Sequence, residues 1–286
     1  MSRTRINVNF ALPPLSRDRL FSALIVLPSV VAVGIFVYGF IGWTAYVSVS
    51  NWNSFVADLS FVGVRNFAEL FQTTRFQIDL KNTVVFTVAF LAGCLGIGLL
   101  LAILLDQKIR GESLFRNIYL FPMSISFIVS GTAWQWLLNP STGVNLLFEA
   151  AGLDRLKSPW FTDPNIAIYS VVLAAVWQLS GFTMAMYLAG MRGVSDELRE
   201  AARVDGASEW QLYRFVIVPL LNPITLSAVI VLGLISLKIF DLVFAMTGSG
   251  PAFSTDVPGI FMFETTFRGN RFAEGAAISI VMLLMV

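Results

Sequence analysis

Histidine is absent from this 286-residue chain, cysteine occurs once, at Cys94, and only 13% of residues are charged. Without histidine the chain lacks the usual metal ligand and the side chain best suited to acid–base work near neutral pH. A lone cysteine in an apolar run builds neither a disulfide nor a cysteine metal site. A soluble domain carries about 25% charged residues. The deficit here, with 56% hydrophobic residues and a mean hydropathy of +0.75, means that much of the surface faces something other than water. The net charge of +1 gives no electrostatic footprint for nucleic acid. No G-x-x-x-x-G-K-[ST] sequence occurs, so the phosphate-cradling loop it encodes is missing too.

What the chain has in quantity is long apolar sequence. A membrane helix needs about 20 mostly apolar residues, and residues 21–47, 83–105, 120–138, 166–191 and 220–246 each supply such a run. A sixth run, 273–286, is still apolar where the sequence stops, so its last helix is read as truncated. Arg17 and Arg19 precede the first run as in a signal peptide. That run is far longer than the roughly 7–15 residues of a signal core. It is read as a retained span, with residues 1–20 as a cytoplasmic segment and 21–286 as one transmembrane domain. The expected fold is all-α with six transmembrane helices.

Lysine and arginine in short loops set orientation. With the N-terminus inside, the inner segments hold Arg3, Arg5, Arg17, Arg19, Lys108, Arg110, Arg116, Arg192, Arg199, Arg203 and Arg214. The outer loops hold fewer: Arg65, Arg75, Lys81, Arg155, Lys157, Arg268 and Arg271. The bias places the N-terminus and residues 192–218 on the cytoplasmic side.

The 192–218 loop is a built device. Ser195 stands at a helix N-cap position, with Asp196 and Glu197 in the first turn, where negative charge suits the helix dipole. Leu198, Ala201, Ala202 and Val204 form a small apolar set, and Gly206 permits a sharp turn. A second short helix is expected from Ser208, carrying Trp210, Tyr213 and Phe215, with Pro219 in the first turn of the next span. On physics alone such a hairpin serves equally well lying on lipid headgroups.

The residues also carry a resemblance. Glu200-Ala201-Ala202, then Gly206, then Val216-Ile217-Val218-Pro219 resembles the EAA loop of permease subunits in binding-protein-dependent ABC importers. Val216 and Val218 stand where that family prefers isoleucine or leucine. The segments Phe61-Val62-Gly63-Val64-Arg65-Asn66-Phe67, Asn139-Pro140 through Gly143, Asn145, Gly152-Leu153 and Trp160-Phe161, and Phe240-Asp241 with Thr247 to Pro251 and Thr255 are similar to loops of the maltose-type carbohydrate branch, in its first-permease form. The resemblance implies a type I ABC importer permease fold in a prokaryotic inner membrane. It implies a second permease subunit, two cytoplasmic ATPase subunits holding ATP and Mg, and an extracytoplasmic binding protein that delivers a sugar. The chain itself then holds no cofactor or metal and is no enzyme. Glu200, Ala201, Ala202, Asp205, Gly206, Ala207 and Pro219 become the ATPase-coupling residues. Gln178, Leu179, Phe182, Ser236 and Ile239 match positions lining the sugar site, and ordinary helix packing explains each of them equally well.

Lys238 and Asp241 stand three apart in the fifth run, where one helix would pair them, either lining the cavity or serving structure alone. Trp134, Gln135 and Trp136 read as an interfacial aromatic belt, and Asn222-Pro223 as the start of the fifth span. Two other readings stay open. One is an importer permease for an amino-acid derivative, polyamine or phosphate ester. The other is an ion-driven secondary transporter using Lys238 and Asp241.

Overall fold

The computed structural model describes residues 17–107 and 109–286, so most of the expected N-terminal segment, and Lys108, lie outside the described residues. Among the described residues the regular elements are helical, apart from one isolated bridge between Ser50 and Phe61. The described residues divide into two compact units between Tyr46 and Val47. The first is dominated by helix α1 (Phe21–Ser48), 28 residues long, whose apolar window is wholly unburied. At about 1.5 Å per residue it exceeds the thickness of a hydrocarbon core. A π-turn at Gly34–Gly39 interrupts its ladder between two glycines.

In the second unit, helix α2 (Arg65–Gln72) leads into α3 (Thr74–Asp106), a 33-residue helix. Phe86, Phe90, Cys94, Gly98, Ala102 and Leu105 recur every three or four residues and are buried. They form one stripe along α3, and Val84, Val88, Leu100 and Leu104 on its other faces are exposed. That stripe packs along α6 (Ala167–Arg192), a more central helix with 72% of its apolar window buried.

Between them lies a departure from the expected third span. Helix α4 (Glu112–Leu120) runs on through a tight turn at Phe121–Ser124, and α5 (Phe127–Leu137) leaves at 99°. Pro122 sits in that turn and Ile125 is extended. Ser126 then restarts the helix as its N-cap, its Oγ accepting from the Val129 N–H at 3.4 Å.

After α6 come α7 (Asp196–Val204) and a helix α8 (Glu209–Leu220) that meets α9 (Asn222–Leu237) at 63°. The expected fifth rod is therefore bent at Leu221 and broken again at Lys238–Phe240, before α10 (Asp241–Met246). Pro219 does not open the span. It lies inside α8 behind a π-turn at Leu212–Ile217, while Pro223 stands in the first turn of α9, as Asn222-Pro223 suggested. A helical proline has no N–H for the carbonyl one turn back, and the widened turn before it accommodates that loss. Helices α11 (Pro258–Phe263) and α12 (Phe272–Met285) pack together, and α12 also packs on α2. Among the described residues three helices are long and apolar enough to cross a membrane, and up to five if each bent pair counts as one span.

The apolar interior falls into three clusters. The largest joins Phe86, Phe90, Val171, Ala175, Leu232, Leu242 and Met246. A second, around Ala102, Leu105, Met184, Met191, Leu212 and Ile217, lies where α3 and α6 approach the 192–218 loop. A third joins Leu70, Phe76, Phe261 and Ile278. The opposite end of α3 is tied by polar contacts. Arg75 reaches Asp256 Oδ2 at 2.6 Å and Glu264 Oε2 at 2.7 Å, and Asn82 Nδ2 donates to the carbonyls of Phe253 and Asp256.

Candidate functional site

Residues 192–218 form the hairpin that the sequence suggests. Ser195 has extended dihedrals at the N-cap of α7, Asp196 and Glu197 fill its first turn, and the helix ends at Asp205. The Ser195 side chain makes no capping bond, so the cap is conformational only. Gly206 then adopts φ +83°, a left-handed conformation that carries the chain from α7 towards α8. Ser208 opens α8 with a capping box shared with Gln211. Glu200, Ala201, Asp205, Gly206 and Pro219 are exposed, whereas Ala202 and Ala207 are half-buried. Val204 is a large apolar side chain that stands 87% exposed among the described residues. One face of the hairpin is thus open, carrying Ala201 and Gly206, the apolar Val204 and the acids Glu200 and Asp205.

The other face is fastened to the bundle. Tyr213, Leu212 and Ile217 of α8 are buried among Ala102, Leu105 and Met191. Asp106, the last residue of α3, accepts from Arg199 Nη1 at 2.8 Å and from the Tyr213 hydroxyl at 2.8 Å. Arg199 also donates through Nη2 to the Met191 carbonyl at 2.7 Å. Burial opposes the charge on Arg199, but the Asp106 carboxylate more than offsets it and holds the guanidinium above its ordinary value. Nothing in the residue pattern marked Asp106, because its partners lie 93 and 107 residues away. Beside this joint is an open cavity of about 560 Å³, lined by Asp106, Arg192, Asp196, Arg199, Arg203, Glu209 and Tyr213 among others. Charges of both signs line it, and Arg203 is paired with Glu209 at 2.9 Å.

The residues expected at a sugar site are placed differently from one another. Gln178 is 2% exposed, and its Nε2 donates to the Ile125 carbonyl at 2.7 Å, the group released by the break between α4 and α5. Ser236 is fully buried and its hydroxyl donates to the Gly233 carbonyl at 2.8 Å. Leu179 and Ile239 are buried in the largest apolar cluster, and Phe182 packs on that cluster while part-exposed. Lys238 and Asp241 are both exposed. The expected one-helix pair between them is not formed, because the helix breaks at Lys238–Phe240 and they fall on different segments. Trp134 is no free belt residue either: it packs edge-on against Trp177 at 5.7 Å, while Trp136 is exposed. An apolar groove of about 380 Å³ opens between α3, α4 and α6, lined by Ile97, Leu101, Ile118, Tyr119 and Trp177 among others.

Two asparagines of the loops singled out in the sequence turn out to be organising residues. Asn66 is buried and its Nδ2 donates to the carbonyls of Ser48 and Ser50. Asn145 donates to the carbonyls of Pro140 and Ser158, and its Oδ1 accepts from Trp160 Nε1 at 2.9 Å. Both satisfy backbone groups that irregular loops leave unpaired.

The membrane-length helices and the bundle they form define a multi-pass membrane protein, with an open hairpin fastened to the end of a long helix. Residues 94–286 match the family described as the binding-protein-dependent transport system inner membrane component, and the chain belongs to that family. It is 45% identical over 271 residues to a probable ABC transporter permease protein of Pyrococcus horikoshii, covering 94% of this chain and 93% of that one. It is 37% identical over 258 residues to the xylose/arabinose import permease protein of Haloferax volcanii, covering 89% of this chain and 81% of the relative. Its fold is similar to a chain in the crystal structure of a bacterial ABC transporter involved in the import of the acidic polysaccharide alginate. That likeness has a TM-score of 0.81 at 24% identity, over 95% of this chain and 93% of the other.

Proposed function

We propose that this chain forms half of the translocation pathway of an ATP-driven importer for a sugar. Residues 192–218 lie on the cytoplasmic side and dock on a separate ATPase subunit that holds ATP and Mg. A second permease subunit completes the pathway, and an extracytoplasmic binding protein delivers the solute to the opposite end. One observation carries the reading: the hairpin turns at Gly206 with Glu200, Ala201 and Val204 exposed together, while its other face is buried against α3 and α6. Small residues allow close approach, the glycine sets the angle, and Glu200 offers a carboxylate to a basic partner.

The sugar assignment is supported by the import named for the xylose/arabinose relative and by the similarity of the loops around Asn66 and Asn145 to those of the carbohydrate branch. Phe182, part-exposed on α6, is the ring that the resemblance offers to a sugar face. An ion-coupled reading loses its basis with the Lys238–Asp241 pair. The mechanism is a shift between inward-open and outward-open states, biased by nucleotide at the hairpin and by the loaded binding protein at the other end.

The test is a cysteine at Val204 in a Cys94→Ala background. The expected result is cross-linking to the co-purified ATPase and no labelling by a membrane-impermeant thiol reagent added outside intact cells. Labelling from outside overturns the assignment. Mass spectrometry of the solute retained by the binding protein decides the substrate, and an amine or phosphate ester there replaces the sugar.

A further inference from the structure

We infer that Asp106 is the transmission joint of the transporter, the positioning residue through which motion of the 192–218 hairpin is passed to α3. The inference rests on the docking role proposed above and assigns a part to a residue outside the docking face. Three observations lead to it. Asp106 ends α3, where a negative charge sits against the helix dipole, so helix stability alone does not favour an acid there. Its side chain is only 5% exposed, and a single oxygen, Oδ2, receives both Arg199 of α7 and the Tyr213 hydroxyl of α8. Both arms of the hairpin therefore converge on one atom of one span. Thirdly, Arg199–Asp106 is the only ion pair among the described residues that links the hairpin to a span with both partners largely buried. Arg203–Glu209 is exposed and stays inside the hairpin, and Arg192–Glu112 joins α6 to α4.

A charge-assisted, two-armed contact of this kind is strong and directional. Together with the apolar packing around it, this contact holds the hairpin at one angle to the span. Arg199 is itself fixed by the Met191 carbonyl at the end of α6, so a tilt of α7 reaches α3 and α6 together. Helix α3 continues for 33 residues to Arg75, Asp79 and Asn82, facing the 249–256 segment. One rigid element thus spans the distance from the hairpin to the far end of the bundle, the physical continuity that coupling between two ends requires.

The experiment uses the assembled transporter in nanodiscs, measuring ATP hydrolysis with and without the cognate loaded binding protein. Asp106→Asn keeps the size of the side chain and an acceptor for Tyr213 but removes the charge that holds Arg199. Its expected behaviour is intact assembly, basal hydrolysis within about twofold of the parent, and stimulation by the binding protein reduced at least about fivefold, the lower edge of ordinary coupling energies. Asp106→Glu is expected to restore most of the stimulation, which a loss of mere side-chain volume does not explain. Arg199→Lys retains the charge without the fork that reaches Asp106 and Met191 together, and is expected to fall between them. Undiminished stimulation in Asp106→Asn overturns the inference. So does loss of ATPase co-purification in that variant with normal stimulation in Arg199→Lys, since Asp106 would then only build the hairpin. Failure of the docking reading shows elsewhere, as an absent cross-link from Val204→Cys with Asp106 and Arg199 unchanged.

Discussion

Gly181 of α6 lies directly against the carbonyl oxygen of Tyr119, near the end of α4, so closely that a methyl group at 181 would overlap that oxygen. The chain turns by 99° just beyond Tyr119, and α6 is the surface on which it turns.

The first prediction follows from that approach. In Gly181→Ala the obstacle is backbone and cannot rotate away, so the helices must separate. Overpacking of this kind costs about 1–3 kcal/mol. The purified permease is expected to unfold at a lower temperature than the parent. Gly233→Ala serves as the control, because a methyl group there meets nothing within 4 Å, and it is expected to be neutral or slightly stabilising. Equal unfolding temperatures for the two variants would refute the close contact.

The contrast between those glycines shows what the residue pattern carries. The hairpin at 192–218 is legible because its signals are local: Ser195 before two acids, Gly206 at the turn, and Ser208 at the start of the second helix. The apolar runs are legible because crossing a membrane is a matter of length and hydropathy. Hydropathy carries no direction, however, so a run such as 120–138 reads the same whether straight or folded at Pro122. The bend is held by Gln178, 53 residues from Ile125 in sequence, a pairing that local patterns do not contain. The Asp106 joint and the Arg75–Asp256 tie were hidden for the same reason.

Gln178 gives a prediction that separates packing from recognition. With its Nε2 on the Ile125 carbonyl, Gln178→Met leaves that carbonyl without its donor at nearly constant volume. A buried polar group left unpaired costs about 1–3 kcal/mol, so a lowered unfolding temperature is expected. Phe182→Ala is expected to do the opposite, leaving assembly intact and slowing uptake of the solute identified with the binding protein. A stable Gln178→Met protein with weakened uptake would move Gln178 to the sugar path.

Asp79 should respond to neutralisation by gaining stability. It is fully buried one helical turn from Arg75, its carboxylate faces that of Asp256, and no N–H or O–H donor reaches either of its oxygens. Arg75 is already engaged by Asp256 and Glu264. Two buried carboxyl groups that face one another cannot both ionise without a large cost. Asp79→Asn ends that repulsion and offers an N–H towards Asp256. The expected outcome is a higher unfolding temperature with uptake retained, and a clear drop in unfolding temperature would show that the carboxylate has a cationic partner in the assembled transporter.

Gly206 tests the hairpin itself. Its φ of +83° lies outside the range open to proline, whose ring holds φ near −65°. Gly206→Pro also removes the N–H that donates to the Arg203 carbonyl at 3.0 Å, closing the end of α7. The angle between α7 and α8 must change, while the spans, whose packing lies elsewhere, insert as before. The expected result is a permease present in the membrane at near-parent level, with ATP hydrolysis no longer stimulated by the binding protein. Gly206→Asn is the informative companion, because asparagine enters the left-handed region at little cost, and it is expected to retain most of the stimulation. If both variants behave as the parent does, the bend at Gly206 is not what positions the hairpin against its motor. If both lose stimulation equally, the absence of a side chain matters there and the backbone angle does not.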